Sequence, residues 1–167
     1  MKYFEHESAA TFDEAVSLLK ESPKGKTVVM AGGSDLIGVL KEQILEDYPE
    51  KVVDLKTVRG GEYIKQDGDT IEIGALTKLC DIVKSDLLNE KAPVLSQAAR
   101  SVATPLIRNV ATMGGNICQD VRCWFYRYPD EIGGRLNCAR KGGEQCYGIL
   151  GDNRYHSIFG GMSTGKT

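Results

Sequence analysis

Several features are scarce or missing in this sequence, and each absence removes a class of function. There is no basic run. Lys and Arg number 21 against 23 Asp and Glu, for a formal net charge of −2, so the electrostatic footprint of a nucleic-acid binder is missing. No apolar stretch approaches the roughly 20 residues that span a bilayer. The N-terminus, with Lys2, Glu5, His6 and Glu7, lacks the apolar core of a signal peptide, so the cytoplasm is the expected compartment. Beyond His6 the sole histidine is His156, and a lone histidine is more often structural than catalytic. The dinucleotide fingerprint G-x-G-x-x-G is absent, as are internal repeats and low-complexity tracts.

What remains is an ordinary globular composition. The 167 residues are 41% hydrophobic and 26% charged, enough to bury a core in one domain or in two small lobes that share one. Of the five cysteines, Cys80 stands apart, while Cys118, Cys123, Cys138 and Cys146 fall in one stretch. In a reducing compartment such a cluster reads as metal binding before it reads as a disulfide framework.

Periodicity predicts helix, strand, helix, strand over the first 55 residues. Thr11 and Glu14 form a capping-box pattern ahead of a helix with Phe12, Ala15, Val16 and Leu19 on one face. Residues 27–31 form a short β-branched strand, and Gly32-Gly33 a turn. Ser34 or Asp35 caps a helix to about residue 46, and residues 51–55 form a second strand. The crossover predicts a parallel pair. Asp67-Gly68-Asp69 then signals a hairpin. Thr77 is placed to cap a helix through Val83, and residues 92–102 form another, stopped by Thr104-Pro105. Residues 109–117 read as a strand interrupted by Gly114-Gly115. From Asp120 to Gly151 periodicity is lost, and a loop of that length calls for a reason such as a bound cofactor.

Two glycine pairs carry the functional signal. In Met30-Ala31-Gly32-Gly33-Ser34-Asp35-Leu36 a strand runs into two glycines and a helix start. Without Cβ atoms the backbone can approach a phosphate, and free N–H groups at the helix start point toward it. The bland reading is a plain strand–turn–helix junction. In Arg108-Asn109-Val110-Ala111-Thr112-Met113-Gly114-Gly115-Asn116 a second pair is flanked by Thr112 and Asn116, which can hydrogen-bond a cofactor. A bulge is the bland reading there. Two such pairs suggest one extended diphosphate ligand between them.

The cysteine spacing, Cys118-x4-Cys123-x14-Cys138-x7-Cys146, suits thiolates holding an iron–sulfur cluster in loops. Zinc and free buried cysteines stay open as alternatives, although the close C-x2–4-C pairs of a structural zinc site are missing. Arg122, Arg140 and Lys141 lie beside these cysteines and would favour thiolates. Trp124, Phe125 and Tyr126 are expected to anchor the loop by burial, or to meet a partner. Asp120 and Asp152 flank the cysteine loop and can contact a cofactor, with solvated loop carboxylates as the bland reading. Gly160 to Thr167 fits the P-loop pattern G-x-x-x-x-G-K-[ST]. A working P-loop continues directly into a helix whose N-terminus holds the phosphates, so nucleotide hydrolysis is not expected of a chain that stops at Thr167.

These segments together resemble the FAD-binding subunits of molybdenum hydroxylases of the xanthine dehydrogenase type. Ala31-Gly32-Gly33-Ser34-Asp35-Leu36 is similar to the family's A-G-G-x-x-L stretch, and Thr112-Met113-Gly114-Gly115-Asn116 to its T-x-G-G-N stretch. Ile73-Gly74-Ala75-Leu76-Thr77 and Ala103-Thr104-Pro105-Leu106-Ile107-Arg108-Asn109 resemble two further segments, in the same order. The resemblance implies an α+β, two-lobed FAD-binding fold of the vanillyl-alcohol oxidase type. A small parallel βαβ lobe over residues 1–56 would precede a larger, mostly antiparallel lobe over 57–167. It implies FAD held by Met30, Ala31, Gly32, Gly33, Ser34, Asp35, Leu36, Ala75, Ala103, Thr104, Val110, Thr112, Gly114, Gly115 and Asn116. It also implies an electron-relay role beside a molybdenum-cofactor subunit and a [2Fe–2S] subunit, with no catalytic acid, base or nucleophile on this chain.

The cysteine loop further resembles a subgroup with an additional [4Fe–4S] cluster, as in 4-hydroxybenzoyl-CoA reductases and bacterial aldehyde oxidoreductases. Cys123, Cys138 and Cys146 would be three ligands. The fourth stays open. Cys118 is one choice. Tyr155 stands where one subgroup pattern has a cysteine, and the other pattern places it beyond Thr167. The C-terminal lobe usual in the family is not expected within this chain.

Overall fold

The computed structural model describes residues 1–45, 47–128, 136–151, 153–154 and 156. They form two compact units, each a mixture of chain segments. One comprises residues 4–34 and 49–118, the other the described residues among 1–3, 35–48 and 119–156.

The first unit opens with β1 (Glu5–Ser8), α1 (Phe12–Glu21) and β2 (Thr27–Met30). In the second unit α2 covers Leu36–Lys41, and β3 (Lys51–Asp54) returns to the first. The three strands make a parallel sheet in the order β1-β3-β2, with Val52 of β3 opposite both His6 and Val28. β3 is central, and its Val52, Val53 and Asp54 are buried. Coverage on both faces is what a parallel strand requires. The expected β2–β3 pair is present. β1 was not expected, because Glu-His-Glu-Ser carries no apolar alternation. It is an edge strand whose backbone pairs while its side chains stay wet.

Helix α1 starts as its capping pattern dictates. The Thr11 hydroxyl accepts from the Glu14 N–H at 3.1 Å, and the Glu14 carboxylate accepts from the Ala10 N–H at 2.7 Å. Its buried stripe differs from expectation. Ala15 is buried and Leu18 packs with it against Val53, Val58 and Leu76, whereas Phe12, Val16 and Leu19 stay exposed.

The hairpin is β4 (Ile64–Asp67) with β5 (Thr70–Ile73), antiparallel with Asp67 opposite Thr70. Gly68 at φ +57° occupies the first turn position, where a left-handed residue suits the strand twist. Ile64, Ile71 and Ile73 pack against a second core of Leu79, Ile82, Leu88, Ala99 and Ala111. That core is built by α3 (Leu79–Lys84), α4 (Asp86–Lys91) and α5 (Pro93–Ser101), followed by α6 (Pro105–Arg108) and α7 (Met113–Ile117). Burying Leu79, Ile82 and Leu88 contributes about 1.5–3 kcal/mol each before entropy is counted.

Three expectations are corrected here. Residues 109–117 are not a strand; a turn leads into α7, capped by Thr112, whose hydroxyl accepts from the Gly115 N–H at 3.2 Å. Thr77 does not cap α3. Its hydroxyl both accepts from the Tyr63 N–H and donates to the Tyr63 carbonyl, at 3.0 and 2.9 Å. α2 ends at Lys41, well short of residue 46, because Gln43 enters the left-handed region at φ +50°.

The second unit holds α2, a 3-10 turn at Ala139–Lys141 and α8 (Tyr147–Leu150). Its core is Val39, Ile44, Val121, Tyr126 and Cys138, with Cys123 and Tyr147 packed at the edge. Among the described residues no helix is long and apolar enough to cross a membrane. Asp152, Tyr155 and the P-loop-like tail Gly160–Thr167 lie outside the described residues.

Candidate cofactor site

The two glycine segments meet within the first unit. A Cβ on Gly32 would lie 1.9 Å from the Val110 carbonyl oxygen and 3.1 Å from the Ala111 Cα. No side chain fits there, so Gly32 is required by the approach of the second segment's backbone. Gly33 is required for a different reason: its φ is +72°, a conformation glycine adopts without penalty. The turn after β2 is thus seated directly on the chain that leads into α7.

The second pair is fixed from beneath. The Gly114 N–H donates to the Ala75 carbonyl at 2.8 Å, and a Cβ on Gly114 would sit 2.9 Å from that oxygen. Met113 donates to the Thr77 carbonyl at 2.8 Å, and Leu79 to the Ala111 carbonyl at 2.9 Å. A Cβ on Gly115 would stand 2.9 Å from the capping Thr112 Oγ1. Gly32, Ala75, Val110, Thr112, Gly114 and Gly115 therefore form one continuous patch. Ser34, Ala75, Val110 and Gly115 face solvent, while Thr112 is buried. Met30 ends β2 and Asn116 lies in α7, its N–H donating to the Thr112 carbonyl.

Ala103 and Thr104, also expected at a cofactor, precede α6 and are exposed. Ala103 has φ +43°, which costs an alanine about 1–2 kcal/mol. The Arg108 guanidinium donates from Nη1 to the carbonyls of Val102 and Ala103, at 2.7 and 3.2 Å. Arg108 was not singled out as a site residue, and only the strained neighbour in space marks it.

Asp35 and Leu36 begin α2 in the second unit. Both carboxylate oxygens of Asp35 are engaged there. Oδ1 accepts from Arg127 at 2.9 Å and pairs with Arg122 at 3.1 Å, and Oδ2 accepts from the Asp120 N–H at 2.9 Å. Arg127 also donates to the carbonyls of Val121 and Asp120. The Tyr126 hydroxyl donates to Asp120, and Arg140 lies over the Tyr126 ring while pairing with Asp120 at 3.7 Å. Burial and the Asp120 carboxylate together push the Tyr126 hydroxyl far above its usual pKa of 10.0. Asp120 is therefore no solvated carboxylate. It is the second anion of a brace that holds the cysteine loop.

That brace absorbs the cations expected to serve the thiols. Arg122 goes to Asp35 and Gln119, Arg140 to Asp120, and the buried Lys141 donates to the Tyr128 carbonyl at 3.1 Å. Cys123 Sγ lies 3.1 Å from His156 Nε2. The His156 ring stacks on Phe125 at 6.3 Å, and its Nδ1 is buried without a partner among the described residues. Cys138 is buried, Cys146 half-buried, and Cys118 exposed in the other unit. Of the loop aromatics, Tyr126 is buried and Trp124 is 47% exposed. Among the described residues no three His, Cys, Asp or Glu side chains are grouped closely enough to hold a metal ion.

A patch of glycine turns and small residues beside a parallel sheet marks a cofactor-binding domain. The match to known proteins makes the class specific. Residues 2–123 match the model of the FAD-binding domain in molybdopterin dehydrogenases. The chain belongs to that family. It is 34% identical over 117 residues to the FAD subunit of nicotinate dehydrogenase from Eubacterium barkeri, covering 70% of this chain and 39% of that one. It is 29% identical over 161 residues to the aldehyde oxidoreductase FAD-binding subunit PaoB of Escherichia coli, covering 96% and 48%. Among solved structures, carbon monoxide dehydrogenase from Hydrogenophaga pseudoflava superposes with a TM-score of 0.66 at 31% identity, over 70% of this chain and 39% of that chain. These relatives are oxidoreductase subunits, and the chain spans two fifths to one half of their length.

Proposed function

We propose that this chain holds FAD on the glycine patch and serves as the flavin relay of a molybdenum hydroxylase-type oxidoreductase. The observation that carries the reading is the seating of Gly32 on Val110 and Ala111, which joins the two glycine turns into one surface. Gly32 to Ser34 and Gly114 to Asn116 would face the diphosphate, with Thr112 supplying a hydroxyl and small Ala75, Ala103 and Thr104 leaving room beside them. Met30, Ala31 and Val110 would border the site. Bound FAD supplies reversible electron acceptance, and the protein's task is to orient it and tune its potential.

The reading extends to a two-lobed fold of the vanillyl-alcohol oxidase type, with lobes near 1–56 and 57–167, and to a cytoplasmic complex with a molybdenum-cofactor subunit and a [2Fe–2S] subunit. It also extends to a [4Fe–4S] cluster on Cys123, Cys138 and Cys146. Two observations favour that last step. Cys123 and Cys138 pack on the same apolar cluster, which Tyr147, next to Cys146, also joins. The similarity to PaoB, covering 96% of the chain, runs through this loop. The ligand groups would have to close around the metal on binding. A zinc-binding interaction module has no finding behind it.

The test is reconstitution with FAD, expected to give a flavin absorbance band at near one-to-one occupancy. Gly33→Leu, forced to φ +72°, and Gly114→Leu, driven into the Ala75 carbonyl, should each abolish it. Unchanged occupancy in both overturns the site. Iron with acid-labile sulfide after anaerobic purification tests the cluster, and protein without iron overturns it.

A further inference from the structure

Ala103 is one of two non-glycine residues with positive φ among the described residues. Its side chain is exposed, so packing does not hold it there. Two things do. Thr104 starts α6, its hydroxyl accepting from the Ile107 N–H at 3.4 Å with Pro105 in the first turn. Arg108, on the same short helix, reaches back with one nitrogen to two successive carbonyls, at 2.7 and 3.2 Å from Val102 and Ala103. The arginine closes a loop of its own making: α6 sets where its guanidinium lies, and the guanidinium sets the turn that feeds α6. Strain kept at an exposed position by a dedicated clamp points to a backbone whose path matters. A glycine at 103 would have removed the strain at no steric cost.

We propose that Arg108 is a positioning residue of the flavin site, fixing Ala103 in the left-handed conformation and so setting the path of the 103–104 backbone beside the cofactor. The proposal rests on the reading of this patch as an FAD site. Arg108 acts through the peptide units it holds, without touching the flavin itself.

The experiment is a double-mutant cycle on the full chain: parent, Arg108→Ala, Ala103→Gly and the double variant. Each is titrated with FAD by fluorescence quenching, and folding is checked by circular dichroism. Removing charge-assisted bonds to two carbonyls should weaken FAD binding at least about tenfold in the parent background. Glycine adopts the required φ without a clamp, so the same deletion beside Gly at 103 should cost less than about threefold. Equal losses in both backgrounds, or no loss on Arg108→Ala, overturn the proposal while leaving the FAD site standing. A parent chain that binds no FAD overturns both. If Arg108→Ala alone does not fold, the double variant decides. Folded and FAD-binding, it supports the clamp; unfolded, it shows that Arg108 serves the core and overturns it.

Discussion

The sharpest consequence of the geometry falls on Gly32. Replacing it with alanine adds one methyl, placed 1.9 Å from the Val110 carbonyl oxygen and 2.7 Å from its carbon. Real Cβ contacts essentially never fall below 3.0 Å, so the two backbone segments must part by about 1 Å. Both are tied down: the Ala111 carbonyl accepts from Leu79 and the Met30 carbonyl from Leu55. Overpacking costs typically about 1–3 kcal/mol, and backbone that cannot swing aside puts this case near about 3 kcal/mol. In a protein of this size that lowers Tm by roughly 6–12 °C. Gly38 provides the opposite sign. A Cβ there meets no described atom within 4 Å, it lies inside α2, and Gly38→Ala should stabilise by about 0.5–1 kcal/mol. Thermal melts of both variants, with FAD titration alongside, measure the pair. A Gly32→Ala protein that melts within about 2 °C of the parent and binds FAD equally well would refute the seating of one glycine turn on the other segment.

Two further outcomes concern the brace in the second unit. Asp35→Ala strips a half-buried Arg127 of its carboxylate and the Asp120 N–H of its acceptor. It should cost about 2–3 kcal/mol, read as a lower urea midpoint; a loss under about 0.5 kcal/mol would mean the pair is merely a surface contact. Tyr126 tests pH linkage. Its folded pKa is raised above the unfolded 10.0 by burial and Asp120. The neutral hydroxyl's stabilisation is therefore fully present below pH 10 and is lost as pH rises above it, because the unfolded chain ionises first. Tyr126→Phe should cost about 1 kcal/mol at pH 8 and show a shallower loss of stability between pH 9 and 11 than the parent. Parallel slopes for the two proteins would sink the assignment.

How much of this was legible in the sequence depends on the range of the interaction. Local chemistry was: the Thr11–Glu14 cap, the Gly68 turn and the Pro93 helix start involve neighbours only. Apolar pattern misled where elements are short. Ala111, Met113 and Ile117 look strand-like, yet α7 spans five residues, too few for a 3.6-residue period to show. β1 escaped because its pairing is carried by backbone and its side chains are polar. The brace was invisible for a third reason. Asp35 and Arg127 are 92 positions apart, and nothing in either neighbourhood announces the other. So Arg122 and Arg140 were assigned to the nearest cysteines, when the folded chain gives them carboxylates.

The four site glycines were legible as a group but not in their separate roles, and the distinction decides what a substitution can teach. Gly32 lacks a side chain because protein backbone fills the space, so its variants report on the fold first. Gly33 has a required φ and Gly115 a single hydroxyl within reach, so a side chain at 33 strains its own backbone while one at 115 presses only on the Thr112 cap. Gly114 sits between, limited by the Ala75 carbonyl at 2.9 Å. A variant series ordered 32, 114, 33, 115 should therefore pass from loss of folding to loss of FAD in a folded chain. A glycine patch shaped only for packing would show stability and FAD affinity falling together at every position.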